Sequence, residues 1–220
     1  MRSKRSSAES PSISDAEVMA SLGFEGEHPE GRFFPDTYQY TLGMSDQDIL
    51  RRAHERMASV LAEVWEARAD NLPINSPYEA LILASIVERE TGVPSERGQI
   101  AGGFTRRLQI GMRLQTDPTV IYGMGADYQG KIRRRHLQQA TPYNTYVIDG
   151  LPPTPIAMPG RGALEAAVNP EPGKSLYFVA KGDGSHVFSN SLNEHNRAVR
   201  AYQLQRRSEY RSSPAPESAQ

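Results

Sequence analysis

Glu90 closes LILASIVERE, a run rich in branched apolar residues. At about 100° per helical residue, placing Ile82 at zero puts Ile86, Leu83 and Val87 at roughly 40°, 100° and 140°. Glu90 then falls at about 80°, inside the apolar arc, whereas Glu88 falls at about 240°, beside Ala84. A carboxyl among isoleucine, leucine and valine is desolvated, which raises its pKa and keeps a proton on it near neutral pH, as a general acid requires. The competing reading puts Glu90 in a fraying last turn, open to water or paired with an arginine such as Arg97, and the pattern by itself favours that reading. Glu88 and Arg89 read as solvated helix-surface residues.

Other groups add polar and flat surfaces. Tyr143 and Tyr146, with Asn144, Thr145 and the prolines after Leu151, combine aromatic faces with amides and hydroxyls, a set suited to sugar rings; the alternative is a structural tyrosine-proline loop. Gln115, Thr116 and Asp117 line the same groove or simply start a helix, with Asp117 as its cap. His186, His195 and Asp183 match no compact zinc spacing, so hydrogen bonding is expected of them rather than metal ligation. Gly182-Asp183-Gly184 reads as a hairpin turn, since neither a Walker lysine nor a GxGxxG run accompanies it. KIRRRH, at 131 to 136, is a solvated face by default and a holder of an anionic substrate otherwise.

The elements that must position these groups follow from periodicity and caps. Ser14 and Glu17 form a capping box before a short helix ending near Gly23. Ile49, Leu50, Ala53, Met57, Val60, Leu61, Val64 and Trp65 keep helical spacing and predict a helix over about 46 to 69. Ser76, with Pro77 and a capping-box Glu79, starts the helix that carries Glu90 and is stopped by Gly92 and Pro94. Ser95 opens a third helix bearing Ile100, Phe104 and Leu108, and Asp117-Pro118 opens a fourth that ends at Gly123. Residues 124 to 160 are rich in glycine, proline and tyrosine and read as groove-shaping loops. A short helix over Gly162 to Val168, a hairpin of SLYFVAK and SHVFS, and a last helix from Ser191 and Glu194 to about Arg206 complete an α+β chain.

The chain has 220 residues, enough for one core, and residues 14 to 207 are expected to form it between disordered tails at 1 to 13 and 208 to 220. A formal charge of −1 argues against nucleic acid as a partner. The absence of cysteine excludes disulfides, zinc-thiolate sites, iron–sulfur clusters and thiol nucleophiles. No stretch approaches the roughly 18 apolar residues of a membrane helix, and the start shows no export signal. By itself this pattern points to the cytoplasm.

LASIVERETG (83 to 92), GMRLQTDPTVIYGMG (111 to 125), PYNTYVIDGLPPTPIAMPG (142 to 160), YFVAKGDGSHVFSNSLNEHN (177 to 196) and EGRFFPDTY (30 to 38) together resemble the YceG-like, or MltG-type, endolytic murein transglycosylases. The resemblance runs in order over about residues 14 to 205. It implies cleavage of the bond between N-acetylmuramic acid and N-acetylglucosamine within peptidoglycan strands, leaving 1,6-anhydro-muramyl ends and terminating nascent strands. That is a lyase without metal or cofactor. The family's catalytic glutamate maps onto Glu90. Substrate-binding roles are expected for Gln115, Thr116, Asp117, Tyr143, Asn144 and Tyr146, and more weakly for His186 and Glu194.

The resemblance also implies work at the outer, periplasmic face of the bacterial inner membrane beside peptidoglycan synthases. Family members ordinarily begin with a membrane-spanning helix and a LysM-like domain, neither of which is in this sequence. A truncated form and a short relative both account for that. Two other functions compete: a non-catalytic glycan-binding module, and a pyridoxal-phosphate aminodeoxychorismate lyase. The latter needs a buried lysine, and of the four present, Lys4, Lys131, Lys174 and Lys181, only Lys181 is conceivable.

Overall fold

The computed structural model describes residues 13 to 204. Its elements run α1 (Asp15–Leu22), α2 (Asp46–Glu66), α3 (Pro77–Glu90), α4 (Arg97–Gln109), α5 (Asp117–Met124), α6 (Arg134–Gln138), α7 (Arg161–Val168), β1 (Tyr177–Ala180), β2 (His186–Ser189) and α8 (Leu192–Val199). The fold is α+β: helices around one core, with a two-stranded antiparallel sheet at its edge. Apart from Ile13, the expected tails lie outside the described residues, as does the expected end of the last helix. That helix gives way after Val199 to a π turn over Arg200–Leu204.

The core is organised around α3. Every residue from Ala80 to Val87 is buried, against α2, α4, α5 and α7. A helix apolar all round belongs inside, not on a surface, and this changes the reading of its polar residues. Ser85, fully buried, donates to the Ile82 carbonyl at 2.7 Å and accepts the Ile156 N–H at 3.0 Å. Glu88 accepts the Gly160 N–H at 3.1 Å and lies 3.8 Å from Arg97. Glu88 is therefore not the solvated residue expected; with Ser85 it fastens the proline-rich loop to the helix, because that face also meets protein.

The loop leaves little room at its crossing with the N-terminal segment. Gly31 has φ +80, and a Cβ there would lie 2.6 Å from Pro155 Cβ, so both backbone conformation and space require glycine. The hairpin forms as its pattern predicts, Tyr177 pairing with Ser189 and Ala180 with His186. Gly182 and Gly184 take positive φ, and Asp183 Oδ1 accepts the Ser185 N–H at 2.9 Å to close the turn.

Side-chain capping explains four of the helix starts. Ser14, Ser45 and Ser191 each accept the N–H three residues on, and a carboxylate at that third position returns the bond. Ser76 caps α3, but Glu79 reaches past it to the Asn75 N–H at 2.7 Å. Three expectations are corrected. A 3₁₀ turn over Pro94–Glu96 precedes α4, so Ser95 does not open it. The cap of α5 is Thr116, while Asp117 is its first residue and points its carboxylate elsewhere. A five-residue helix, α6, stands in the basic run, too short for any periodicity to show.

Candidate active site

Glu90 ends α3, where the helix emerges from the core, and its side chain lines a groove of about 350 Å³. It is partly open to that groove, yet burial of the carboxyl is the largest influence on it and pushes its pKa up to about 7. The Thr116 hydroxyl donates to Glu90 Oε1 and favours the ionised form. The nearby Asp117 carboxylate opposes ionisation and the Arg107 guanidinium favours it. Arg97, the alternative partner considered from sequence, is occupied by Glu88 instead. A carboxyl titrating near neutrality in a cleft can give up a proton and take one back.

Thr116 is held on every side. Its N–H donates to Thr145 Oγ1 at 3.0 Å and its carbonyl accepts the Thr119 hydroxyl at 2.8 Å. Gln115, just before it, has φ 48, a left-handed conformation costly for a residue with a Cβ, and its N–H donates to the Thr145 carbonyl at 3.1 Å. The link between α4 and α5 is thus pinned to the tyrosine loop, with the exposed Gln115 side chain at the groove. From the same loop, the Tyr146 hydroxyl donates to Asp117 Oδ1 at 2.7 Å. Burial and that carboxylate push the Tyr146 hydroxyl far above its ordinary range, so it stays a donor.

The opposite wall is the hairpin and the start of α8. His186 Nδ1 meets Glu96 Oε2 at 2.8 Å, and the His186 N–H donates to Glu96 Oε1 at 2.9 Å. With the carboxylate accepting, Nδ1 carries the proton and Nε2 is the ring's remaining polar atom. His195 stacks on Tyr177 with centroids 5.3 Å apart, and its Nδ1 is buried without a hydrogen-bond partner among the described residues. Burial, then the charge of Arg107, lowers the pKa of His195 and keeps it neutral. Arg107 itself is buried beneath the groove, its Nε donating to the Leu176 carbonyl at 2.6 Å and another nitrogen to the Leu114 carbonyl.

Of the residues singled out in the sequence, Glu90, Gln115, Thr116, Asp117, Tyr146 and His186 meet at this groove. The other three are engaged outside its lining. Tyr143 shares a hydrogen bond of 2.8 Å with Thr154 and packs 4.8 Å from Tyr122. Asn144 is buried, donating to the His136 and Gln139 carbonyls at 3.1 and 2.7 Å and accepting the Tyr146 N–H at 3.0 Å. It shapes the loop that presents Tyr146. Glu194 accepts the Asn190 and Ser191 N–H groups at 2.9 and 3.3 Å, as a capping residue does.

Three polar residues of the groove lining, Arg107, Tyr177 and His195, were not picked from sequence as site residues, nor was Glu96, which pairs with His186 from outside the lining. Arg107 carried a readable signal, lying three residues beyond Phe104 on the apolar side of its helix. Glu96 carried none, since its partner is 90 residues away. Among the described residues no three His, Cys, Asp or Glu side chains gather to hold a metal, and no lysine lines the groove.

The geometry can be set beside known proteins. The chain is 36% identical over 177 residues to an endolytic murein transglycosylase of Bacillus subtilis (strain 168), an alignment covering 80% of this chain and 49% of the relative. It is 31% identical over 176 residues to one of Streptococcus pneumoniae serotype 2 (strain D39 / NCTC 7466), covering 77% of this chain and 31% of that protein. The chain thus spans about half the length of the first relative and about a third of the second. A crystal structure of a YceG-like protein from Listeria monocytogenes superposes with a TM-score of 0.70 at 33% identity, covering 83% of this chain and 64% of that one. The model of the YceG-like family matches residues 2–201, and with nearly the whole chain inside that match, it belongs to the YceG-like family.

Proposed function

We propose that this domain is an endolytic peptidoglycan transglycosylase, cleaving between N-acetylmuramic acid and N-acetylglucosamine inside glycan strands and leaving 1,6-anhydro ends. The observation that carries the reading is Glu90: a carboxyl raised to about 7 by burial, at a groove. The relatives' shared name, endolytic murein transglycosylase, supports the substrate class. In this reading protonated Glu90 gives its proton to the glycosidic oxygen as the muramyl C1–O bond breaks. The muramyl C6 oxygen then bonds to C1, and its proton passes to the Glu90 carboxylate. No water is consumed, and the acid is regenerated.

A hydrolase needs either a second carboxylate spaced to admit water or a carboxylate nucleophile. The internal C6 hydroxyl removes both needs, because the substrate itself holds the nucleophile near C1. In the same reading Gln115, Tyr146 and His186 contact the sugars, and Thr116, Asp117 and Arg107 set the proton affinity of Glu90. Tyr143, Asn144 and Glu194 keep their expected place in recognition through the loop and helix they stabilise. The strands would come from peptidoglycan synthases at the outer face of the inner membrane. No helix among the described residues is long and apolar enough to cross a membrane.

The test is digestion of purified glycan strands with the chain and with Glu90→Gln, products being identified by mass spectrometry. Anhydro ends from the unaltered protein, reduced at least a hundredfold by the substitution, are expected. Equal products from both would remove Glu90 from its role, and free reducing ends would replace the lytic mechanism with hydrolysis. A glycan-binding module would bind strands and cleave none. A pyridoxal-phosphate enzyme would show a lysine-linked chromophore in the absorbance spectrum.

A further inference from the structure

A second cavity, of about 430 Å³, lies at the far end of α5 from Glu90. Its walls include Lys131, Arg133, Arg135 and His136, with Asp127 the acidic residue among them. Some arginines elsewhere meet carboxylates, as Arg32 does Glu27, Arg113 Asp149 and Arg161 Glu63, and others pack singly on aromatic rings, as Arg56 does on Phe34 and Arg68 on Trp65. Lys131, Arg133 and Arg135 have no such partner among the described residues. With the whole chain at −1, this is a local concentration of charge around a concavity, not the reflection of a basic protein.

The cavity and the groove share one support. Thr116 and Asp117, at the start of α5, line the groove, while Gly123 and Met124, at its end, line the cavity. Eight helical residues span about 12 Å. A Cβ added to Gly123 would sit 3.0 Å from Tyr143 Cβ and 3.2 Å from Thr141 Oγ1, so the cavity floor packs directly on the loop that delivers Tyr146 to the groove. A strand seated at Glu90 would have its neighbouring substituents within reach of these cations.

We propose that this basic cavity binds a carboxylate of the peptide stem carried by the glycan strand, making the domain selective for stem-bearing substrate. The inference rests on the murein reading of the groove. The N-acetyl sugar rings are uncharged, and where a stem is attached the lactyl carboxyl is tied up in its amide bond, so the carboxylates of a stem-bearing strand lie on the stem, whereas amidase leaves a lactyl carboxylate close to the sugar. Three cations without a carboxylate partner among the described residues, lining one concavity, with Arg135 touching only His136 through its Nε at 3.1 Å, fit a flexible, anionic peptide end, which guanidinium groups bind through paired hydrogen bonds.

The experiment measures binding by the Glu90→Gln chain, which cannot turn substrate over, to soluble glycan oligomers with their stems and to the same oligomers after amidase removes the stems. Tighter binding of the stem-bearing oligomer is expected, and adding Arg133→Gln with Arg135→Gln should weaken it about five- to tenfold while leaving stem-free binding unchanged. The same pair in the active chain should leave cleavage of stem-free strands intact, showing that the fold and groove survive. Equal affinity for both oligomers, or equal loss on both, would overturn the assignment. So would displacement by millimolar inorganic pyrophosphate of an oligomer that binds equally with or without stems, which would make the cavity a phosphate site. Should the chain discriminate stems yet release no anhydro ends, the cavity assignment stands and the catalytic reading fails.

Discussion

The Thr116 hydroxyl donates its hydrogen bond to the Glu90 carboxyl, from a residue whose own N–H and carbonyl are fixed by Thr145 and Thr119. The donor favours the anion and so restrains a pKa that burial raises. Removing it in Thr116→Val should raise the pKa of Glu90 further. With the protonated form as the proposed working acid, the fall in kcat/KM on the alkaline side should move to higher pH, and Thr116→Ser should restore it. A limb that stays in place would show that Glu90 does not titrate in the step observed.

Asp117 acts with the opposite sign. Its negative charge resists ionisation of Glu90, so Asp117→Asn should lower the pKa of Glu90 and move the same limb to lower pH. The substitution also keeps an oxygen for the Tyr146 hydroxyl, which now donates to Oδ1 at 2.7 Å. If Asp117 were the base of a hydrolytic mechanism, activity would fall at every pH and reducing ends would disappear. Anhydro ends with a displaced profile are expected instead, and pH profiles with product analysis check both.

What could be read from the residues alone depended on how far each partner lay along the chain. Helix starts were legible because a serine and a carboxylate three positions on settle them locally, as at Ser14, Ser45 and Ser191. Glu90 was half legible: its neighbours on the helix are apolar, but a last-turn position argued for an open carboxyl, and the resemblance to the family singled it out. Glu88 was misread for a related reason: a helical angle assumes one buried face, whereas α3 is enclosed all round. Tyr143 and Tyr146 are three positions apart and read alike, yet one turns to Thr154 and the other to Asp117. That choice is made by Asn144 folding the loop, and the pairing of Glu96 with His186 depends on the whole chain closing.

Holding Glu90 protonated has a stability consequence with a definite sign. The carboxyl titrates near 4.5 when unperturbed and about 7 in the fold. Between these values the unfolded chain releases the proton and the folded chain keeps it, so stability declines as pH rises and levels off above about 7. A shift of that size corresponds to roughly 3 kcal/mol. Glu90→Gln should therefore leave the melting temperature nearly unchanged at pH 4 and raise it by about 6 to 12 °C at pH 8. Thermal denaturation at the two pH values decides it; a substitution that destabilises equally at both would mean the carboxyl is not desolvated.

Arg107 joins the fold to the site. Its buried guanidinium satisfies the Leu176 and Leu114 carbonyls, tying the approach to β1 and the approach to α5 onto α4, while its charge favours ionised Glu90 and neutral His195. Arg107→Met fills similar space but strands both carbonyls, so a loss of roughly 3 kcal/mol is expected. Arg107→Lys should recover little, because one ammonium cannot reproduce the planar fork that spans both acceptors. In whatever fraction remains folded, the alkaline limb of cleavage should lie at higher pH than in the unaltered chain, since a favourable charge has been withdrawn from Glu90. Chemical denaturation and the pH profile separate the two effects: lost stability with an unmoved limb would make Arg107 a structural clamp without influence on the acid.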